Sequence, residues 1–146
     1  MSGILVGIDG SSHSLRALEW AAQEAGFRQV PLTVLTVHQA VVGWAGGPTT
    51  FPGDQAETAR ARELAQRETD KVIGEMGGQR PSEVVVHAVN GLPAEELLRA
   101  AEDASMLVLA HRGAGGFSRL LMGSVSSQVT QHAHCPIVLI PAGDRH

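Results

Sequence analysis

Residues 4–11 have the sequence Ile-Leu-Val-Gly-Ile-Asp-Gly-Ser. The five residues 4–8 are typical of a short buried strand, and Asp9-Gly10-Ser11 supplies turn chemistry directly after it. Ser11 or Ser12 can then N-cap a helix, which we expect to end at Gly26. A strand that passes at once into a helix predicts the first half of a β-α-β unit.

The rest of the chain repeats this alternation of apolar runs and amphipathic stretches. Strands are predicted at 32–37, 83–89, 106–110 and 136–140, and helices at 57–76, 93–102 and 124–133. Strands separated by helices favour a parallel sheet covered by helices on both faces. Right-handed crossovers then predict a Rossmann-like α/β fold of five strands in the order 3-2-1-4-5.

Length and composition limit the class of protein. The 146 residues predict a single domain over 1–146, and 43% hydrophobic and 18% charged residues indicate a globular chain. A net charge of −4 and only 3% aromatic residues argue against nucleic-acid binding. No apolar run approaches the roughly 18 residues of a membrane span. Cys135 is the only cysteine and the N-terminus has no basic segment, so we expect a cytoplasmic protein without membrane partners.

The connection over residues 38–56 is long, since about 2–6 residues usually suffice between a strand and a helix. It is rich in Gly and Pro and contains Trp44 and Phe51. Two interpretations remain open, a lid over a site or a surface loop.

Two distant segments meet where the predicted strand order reverses, which is where open α/β sheets bind ligands. They are residues 7–11, which include Gly7, Ile8 and Asp9, and residues 110–113. Asp9 is a candidate ligand contact, or a carboxylate that caps the next helix.

A glycine-rich stretch continues from the second of these segments. Gly113 is followed by nine residues and then by Gly123-Ser124, which is predicted to open a helix. A helix N-terminus suits a phosphate, and Arg112 could pair with one. The alternative is a glycine-rich connection with an ordinary helix cap. There is no Lys after the glycines as in a Walker loop.

At these residues the chain resembles the universal stress protein family, whose nucleotide-binding branch carries Gly-x-x-Gly, nine residues and Gly-Ser/Thr after the fourth strand. Here Gly113 and Gly123-Ser124 match, while Ala110 replaces the first glycine. The resemblance also covers the opening Ile-Leu-Val-Gly-Ile-Asp-Gly-Ser, the Pro-Ala-Glu-Glu-Leu-Leu helix start and the closing Cys-Pro-Ile-Val-Leu-Ile-Pro.

The resemblance implies a nucleotide site. It places Asp9 near the adenosine, Ile8 and Val37 along the adenine, and Ala110 near the ribose. The groups implied to hold phosphates are Gly113, Gly123, Ser124 and Val125.

We therefore expect an ATP-binding regulatory protein, with Mg²⁺ bridging the phosphates and with no catalytic or protein-bound metal site. Two alternatives remain: a relative that has lost ATP binding and acts as a dimeric interaction protein, or an enzyme such as a slow ATPase. No Asp or Glu occurs from 104 to 143, which disfavours phosphoryl transfer. The apolar strand 136–140 lies at a predicted sheet edge, and such edges are normally paired or covered. A homodimer through this strand is expected.

Overall fold

The computed structural model describes residues 2–39, 41–42, 48–49, 54–111 and 116–141. The elements in chain order are β1 (Ile4–Ile8), α1 (Ser12–Arg28), β2 (Leu32–Gln39), β3 (Val41–Val42), β4 (Pro48–Thr49), α2 (Asp54–Glu75), β5 (Val84–Gly91), α3 (Pro93–Ala101), β6 (Met106–Ala110), α4 (Gly116–His132) and β7 (Ile137–Ile140).

Five of these strands form one sheet in the order β5-β2-β1-β6-β7, and every neighbouring pair is parallel. Numbered among themselves along the chain, these strands have the order 3-2-1-4-5, so the predicted fold is confirmed. The chain builds outward from β1 on one side, then crosses over β1 and builds on the other. None of the helices in the described ranges has the length and apolar character needed to cross a membrane.

The sheet separates two hydrophobic cores. Successive side chains of a strand point to opposite faces, so each central strand contributes to both. Val6 and Val34 belong to the core beneath α1 and α2, whereas Leu5 and Leu107 belong to the core beneath α3 and α4. The face on which a residue lies therefore decides which helices it contacts.

A small antiparallel hairpin occurs within the long connection after β2. Val41 and Val42 of β3 pair with Thr49 and Pro48 of β4. The sequence did not predict this hairpin. Trp44 and Phe51 lie outside the described residues, so the lid interpretation stays a prediction.

The end of α1 differs from the prediction, because the helix continues past Gly26 to Arg28. It ends at Gln29, a left-handed residue with φ of 56° whose N–H donates to the carbonyls of Ala25 and Gly26. Gly26 has another role: a Cβ atom there would lie 2.0 Å from the carbonyl oxygen of Gln79. The glycine thus allows α1 to pack directly against the backbone that leads into β5.

This contact predicts that adding one methyl group at residue 26 lowers the stability of the fold. Gly26→Ala should lower the free energy of unfolding by about 1–3 kcal/mol or more, since the backbone of Gln79 must shift. Urea unfolding followed by circular dichroism measures the difference.

Gly74 in α2 provides the matched control. A Cβ atom there meets no atom of the described residues within 4 Å. Gly74→Ala should therefore leave stability unchanged or raise it by up to about 1 kcal/mol. Equal effects at the two positions would contradict the packing role assigned to Gly26.

Candidate functional site

A crevice opens in the middle of the sheet because β1 and β6 stop pairing before they end. Their ladder runs from Ile4–Met106 to Val6–Val108. In contrast, β1 pairs with β2 as far as Ile8, and β6 pairs with β7 as far as Ala110. The last two residues of β1 and of β6 therefore lie side by side without β-sheet pairing. The order of the strands reverses between β1 and β6, and open α/β sheets bind ligands at this point, the strand switch.

Asp9 and two serines shape the turn that follows β1. Asp9 Oδ1 accepts hydrogen bonds from the backbone N–H of Ser11 at 3.0 Å and from Ser11 Oγ at 2.6 Å. Ser11 Oγ in turn accepts from the N–H of Ser14 at 3.1 Å, so Ser11 is the N-cap of α1. Gly10 lies between Asp9 and Ser11 with a φ of +85°, a left-handed conformation that suits glycine. The turn therefore holds the Asp9 carboxylate at the rim of the crevice.

A cavity of about 300 Å³ lies beside this turn, between the carboxyl ends of β1 and β2 and the middle of α2. Its size is at the lower end of small-molecule sites. The lining residues are Ile8, Asp9, Gly10, Thr36, Ala61, Leu64, Ala65 and Glu68. Apolar groups and hydrogen-bond acceptors are thus combined in one pocket.

Glu68 is a charged lining residue that the sequence analysis did not identify. Burial, and secondly the negative charge of Asp9, raise the pKa of Glu68 above its ordinary value of 4.5. The two carboxyl groups are therefore near enough to interact. A signal existed in the sequence: residues 61, 64, 65 and 68 follow the i, i+3, i+4, i+7 spacing of one helix face.

Two other cavities lie away from the strand switch. One of about 320 Å³ is at the amino edge of the sheet, near Gly3, His87 and Asp103. Another of about 480 Å³ lies between the first turns of α2 and the edge strand β5. Of these three cavities of the described residues, only the one near Asp9 adjoins the strand switch, through Ile8 and Asp9 at the end of β1, and this position identifies it as the candidate site.

The predicted site residues at the ends of β1 and β2 are divided between the two faces. Ile8 and Asp9 line the cavity beside α2. Val37 packs instead against the core beneath α3 and α4. At Gly7 a Cβ atom would lie 2.8 Å from Leu97 Cδ2, so this glycine permits close packing of α3 on the sheet.

Ala110 ends β6 in a fully buried position in the core beneath α1 and α2. Its carbonyl oxygen accepts a hydrogen bond from Ser126 Oγ at 3.2 Å, which ties α4 to the strand end. Gln29 is the one non-glycine residue of positive φ in the described ranges, so an alanine at 110 is free of backbone strain. Alanine is therefore compatible with the backbone conformation at this strand end.

The start of α4 corrects the predicted helix. It begins at Gly116 and not at Ser124, so Gly123 and Ser124 lie within the helix. The apolar residues at 117, 121, 125 and 129 repeat every fourth position, a helical period that continues through Gly123. The N–H groups at 123 and 124 are therefore not those of a helix N-terminus.

Along α4 the remaining predicted residues differ in exposure. Ser124 is exposed, whereas Val125 is buried in the core beneath α3 and α4. Arg112 and Gly113 lie outside the described residues, and their roles stay predictions.

Together these features define an open α/β sheet with a ligand-sized cavity beside its strand switch. The universal stress protein family model matches residues 1–141. The chain belongs to the universal stress protein family.

Curated relatives support this family membership, and solved structures share the fold. A universal stress protein of Mycolicibacterium smegmatis is 36% identical over 98% of this chain and 49% of its own length. The chain thus spans about half the length of the curated relatives that it matches. Universal stress protein UspA from Lactobacillus plantarum superimposes with a TM-score of 0.76 at 23% identity, covering 95% of this chain and 97% of that one. A universal stress protein from Archaeoglobus fulgidus, solved in complex with dAMP, gives a TM-score of 0.65 at 25% identity, covering 96% and 98%.

The raised pKa of Glu68 predicts how this residue affects stability. A carboxyl group whose pKa is higher in the folded state favours folding most at low pH, and the advantage disappears as pH rises through the folded pKa. Glu68→Gln should therefore stabilise the protein at pH 7 but not at a pH well below 4.5, where the carboxyl group of Glu68 is neutral in both the folded and the unfolded state.

Urea unfolding across this pH range measures the effect, and Glu63→Gln is the control because Glu63 is exposed on the same helix and does not line the cavity. If Glu68→Gln is equally stabilising at both ends of the range, the electrostatic explanation is wrong.

Proposed function

We propose that the chain binds an adenine nucleotide, ATP, at the cavity beside Asp9, and that occupancy regulates its interactions. The observation that carries the proposal is this cavity at the carboxyl ends of β1 and β2, next to the strand switch, in a family with a solved member in complex with dAMP. Ile8 supplies an apolar wall for the base, and Asp9 supplies an acceptor held by Ser11.

The phosphates would extend from the cavity toward the glycine-rich segment before and within α4. The cavity lining contains two carboxylates and, among the described residues, no cationic side chain. A triphosphate is therefore better placed outside it, where the family resemblance implies contacts from Gly113, Gly123, Ser124 and Val125. Because 123–125 lie within α4 and Val125 is buried, the exposed Ser124 hydroxyl is the group of this helix that we assign to the phosphates. Mg²⁺ would accompany the phosphates as part of the ligand.

A change in occupancy can regulate partners only if ATP binds two states of the protein with different affinity. The α4 helix provides a route, because the Ser126–Ala110 hydrogen bond joins it to the strand that borders the crevice. We propose this regulatory role in preference to an enzymatic one.

Ser124→Ala tests the phosphate contact. Ser124 is exposed, so the protein should fold normally, and ATP affinity should fall about tenfold if a hydrogen bond to a charged oxygen is lost. Adenosine affinity should not change. Isothermal titration with ATP and adenosine measures both.

Ser127→Ala is the matched control, since Ser127 is also exposed on α4. A wild-type protein that binds no ATP would contradict the proposed function itself. Unchanged ATP affinity in Ser124→Ala would contradict only the assignment of Ser124.

We also propose a homodimer through β7. This strand pairs with β6 and lies at one edge of the described sheet, and all four of its residues are apolar. Val138 and Ile140 pack against the core beneath α1 and α2, while Leu139 is 37% exposed. Pairing with a second copy would satisfy the free edge in a closed, two-fold arrangement.

Leu139→Lys should dissociate such a dimer, because the two-fold axis brings both new charges close together. Val138 is less suitable, since a lysine there would enter the core. Phe27→Lys is the control, because Phe27 is 83% exposed at the end of α1 and is not part of the edge strand. Light scattering measures the mass. A monomeric wild type, or a dimer that only Phe27→Lys disrupts, would contradict the interface.

A further inference from the structure

The cavity beside Asp9 has an unusual charge for a nucleotide site. Its described lining carries the carboxyl groups of Asp9 and Glu68 and no Arg, Lys or His. A negatively charged phosphate would meet two like charges there, and like charges at short range are unfavourable. The part of a nucleotide that fits this cavity is therefore its uncharged end.

The uncharged end of a nucleotide offers hydrogen-bond donors, namely the ribose hydroxyls and, on adenine, the exocyclic amine. The cavity offers the complement, with carboxylate oxygens from two directions: Asp9 from the turn after β1 and Glu68 from α2. Asp9 Oδ1 already accepts two hydrogen bonds from Ser11. Glu68 is half-buried on α2.

Apolar surface adjoins these acceptors. Leu64 lines the cavity and is 54% exposed, an unusual position for a large aliphatic side chain on a helix that packs against the sheet. Ile8 forms the opposite wall from β1. A flat heterocycle between the two would cover Leu64 and exclude water from it, which favours binding.

We propose that Glu68 is a specificity-determining residue of the nucleotide site, whose carboxylate accepts a hydrogen bond from a donor group of the nucleoside. This inference rests on the proposed function and assigns to α2 a ligand contact in addition to those implied by the family resemblance. It also explains how an acidic group is accommodated in a place where burial and Asp9 both disfavour its charge: the donor of the bound nucleoside compensates for that cost.

The test is isothermal titration of wild-type protein and Glu68→Ala with adenosine, AMP and ATP. Because Glu68 contacts the nucleoside, which all three ligands share, Glu68→Ala should weaken each about tenfold, the effect of losing a hydrogen bond to a charged group. Glu63→Ala on the exposed side of α2 is the matched control and should bind as the wild type does. Glu68→Gln, which keeps the side-chain shape, should show a smaller loss in the same three ligands.

Two analogues distinguish the possible donors. If Glu68 accepts from a ribose hydroxyl, 2′,3′-dideoxyadenosine should bind wild type and Glu68→Ala equally. If Glu68 accepts from the exocyclic amine, purine riboside, which lacks that amine, should bind wild type and Glu68→Ala equally. Either result supports the proposal and names the contact.

Three results would overturn it. If both Glu68 variants bind adenosine as tightly as the wild type does, Glu68 does not contact the nucleoside. The proposed ATP binding would still stand. A loss restricted to ATP in the presence of Mg²⁺ would assign Glu68 to a metal ion at the phosphates. If Glu68→Ala still binds both analogues about tenfold more weakly than the wild type does, the donor is not on the nucleoside. Failure of the proposed function is separate, because the wild type would then bind none of the ligands.

Discussion

The early end of the ladder between β1 and β6 is the constraint on which the rest of the site depends. After Val6 and Val108 the two strands no longer pair, although each continues to pair with its other neighbour. The chain leaves β1 into α1, on one face of the sheet, and leaves β6 toward α4, on the other. Because both crossovers are right-handed, the departing connections must diverge, and a crevice opens between them.

The alternation of side chains along the strands then decides what the crevice contains. Ile8 and Thr36 face α2 and line the cavity with Asp9 and Glu68, whereas Val37 faces the opposite helices. Gly7 packs closely against α3. The site is thus asymmetric, with an acidic and partly apolar cavity on the side of α2. On the other side of the crevice β6 ends at Ala110, whose carbonyl oxygen accepts a hydrogen bond from Ser126 of α4. This asymmetry is suited to a ligand with an uncharged end and a charged end.

The sequence predicted the sheet well because its signals are local. Short apolar runs, turn residues such as Asp9-Gly10 and the Ser11 cap all act within a few residues of where they stand. The failures concern contacts between distant segments. Gly26 is needed because Gln79 approaches it, and only the packed structure brings the two together. Glu68 is one of many charged residues on α2, and its position opposite Asp9 depends on how that helix lies on the sheet. The glycines before α4 suggested a loop, but the four-residue apolar period prevailed and the helix begins at Gly116.

The central claim is that an adenine nucleotide occupies the strand switch with its nucleoside end beside α2. Amide chemical-shift mapping by NMR during titration with ATP tests it most directly. The account predicts the largest shifts at Gly10, Thr36 and Glu68, around the cavity at the carboxyl ends of β1 and β2. It predicts none at Gly3 or Asp103, which line the cavity at the amino edge. Shifts concentrated at that amino edge, with Gly10, Thr36 and Glu68 unmoved, would contradict it.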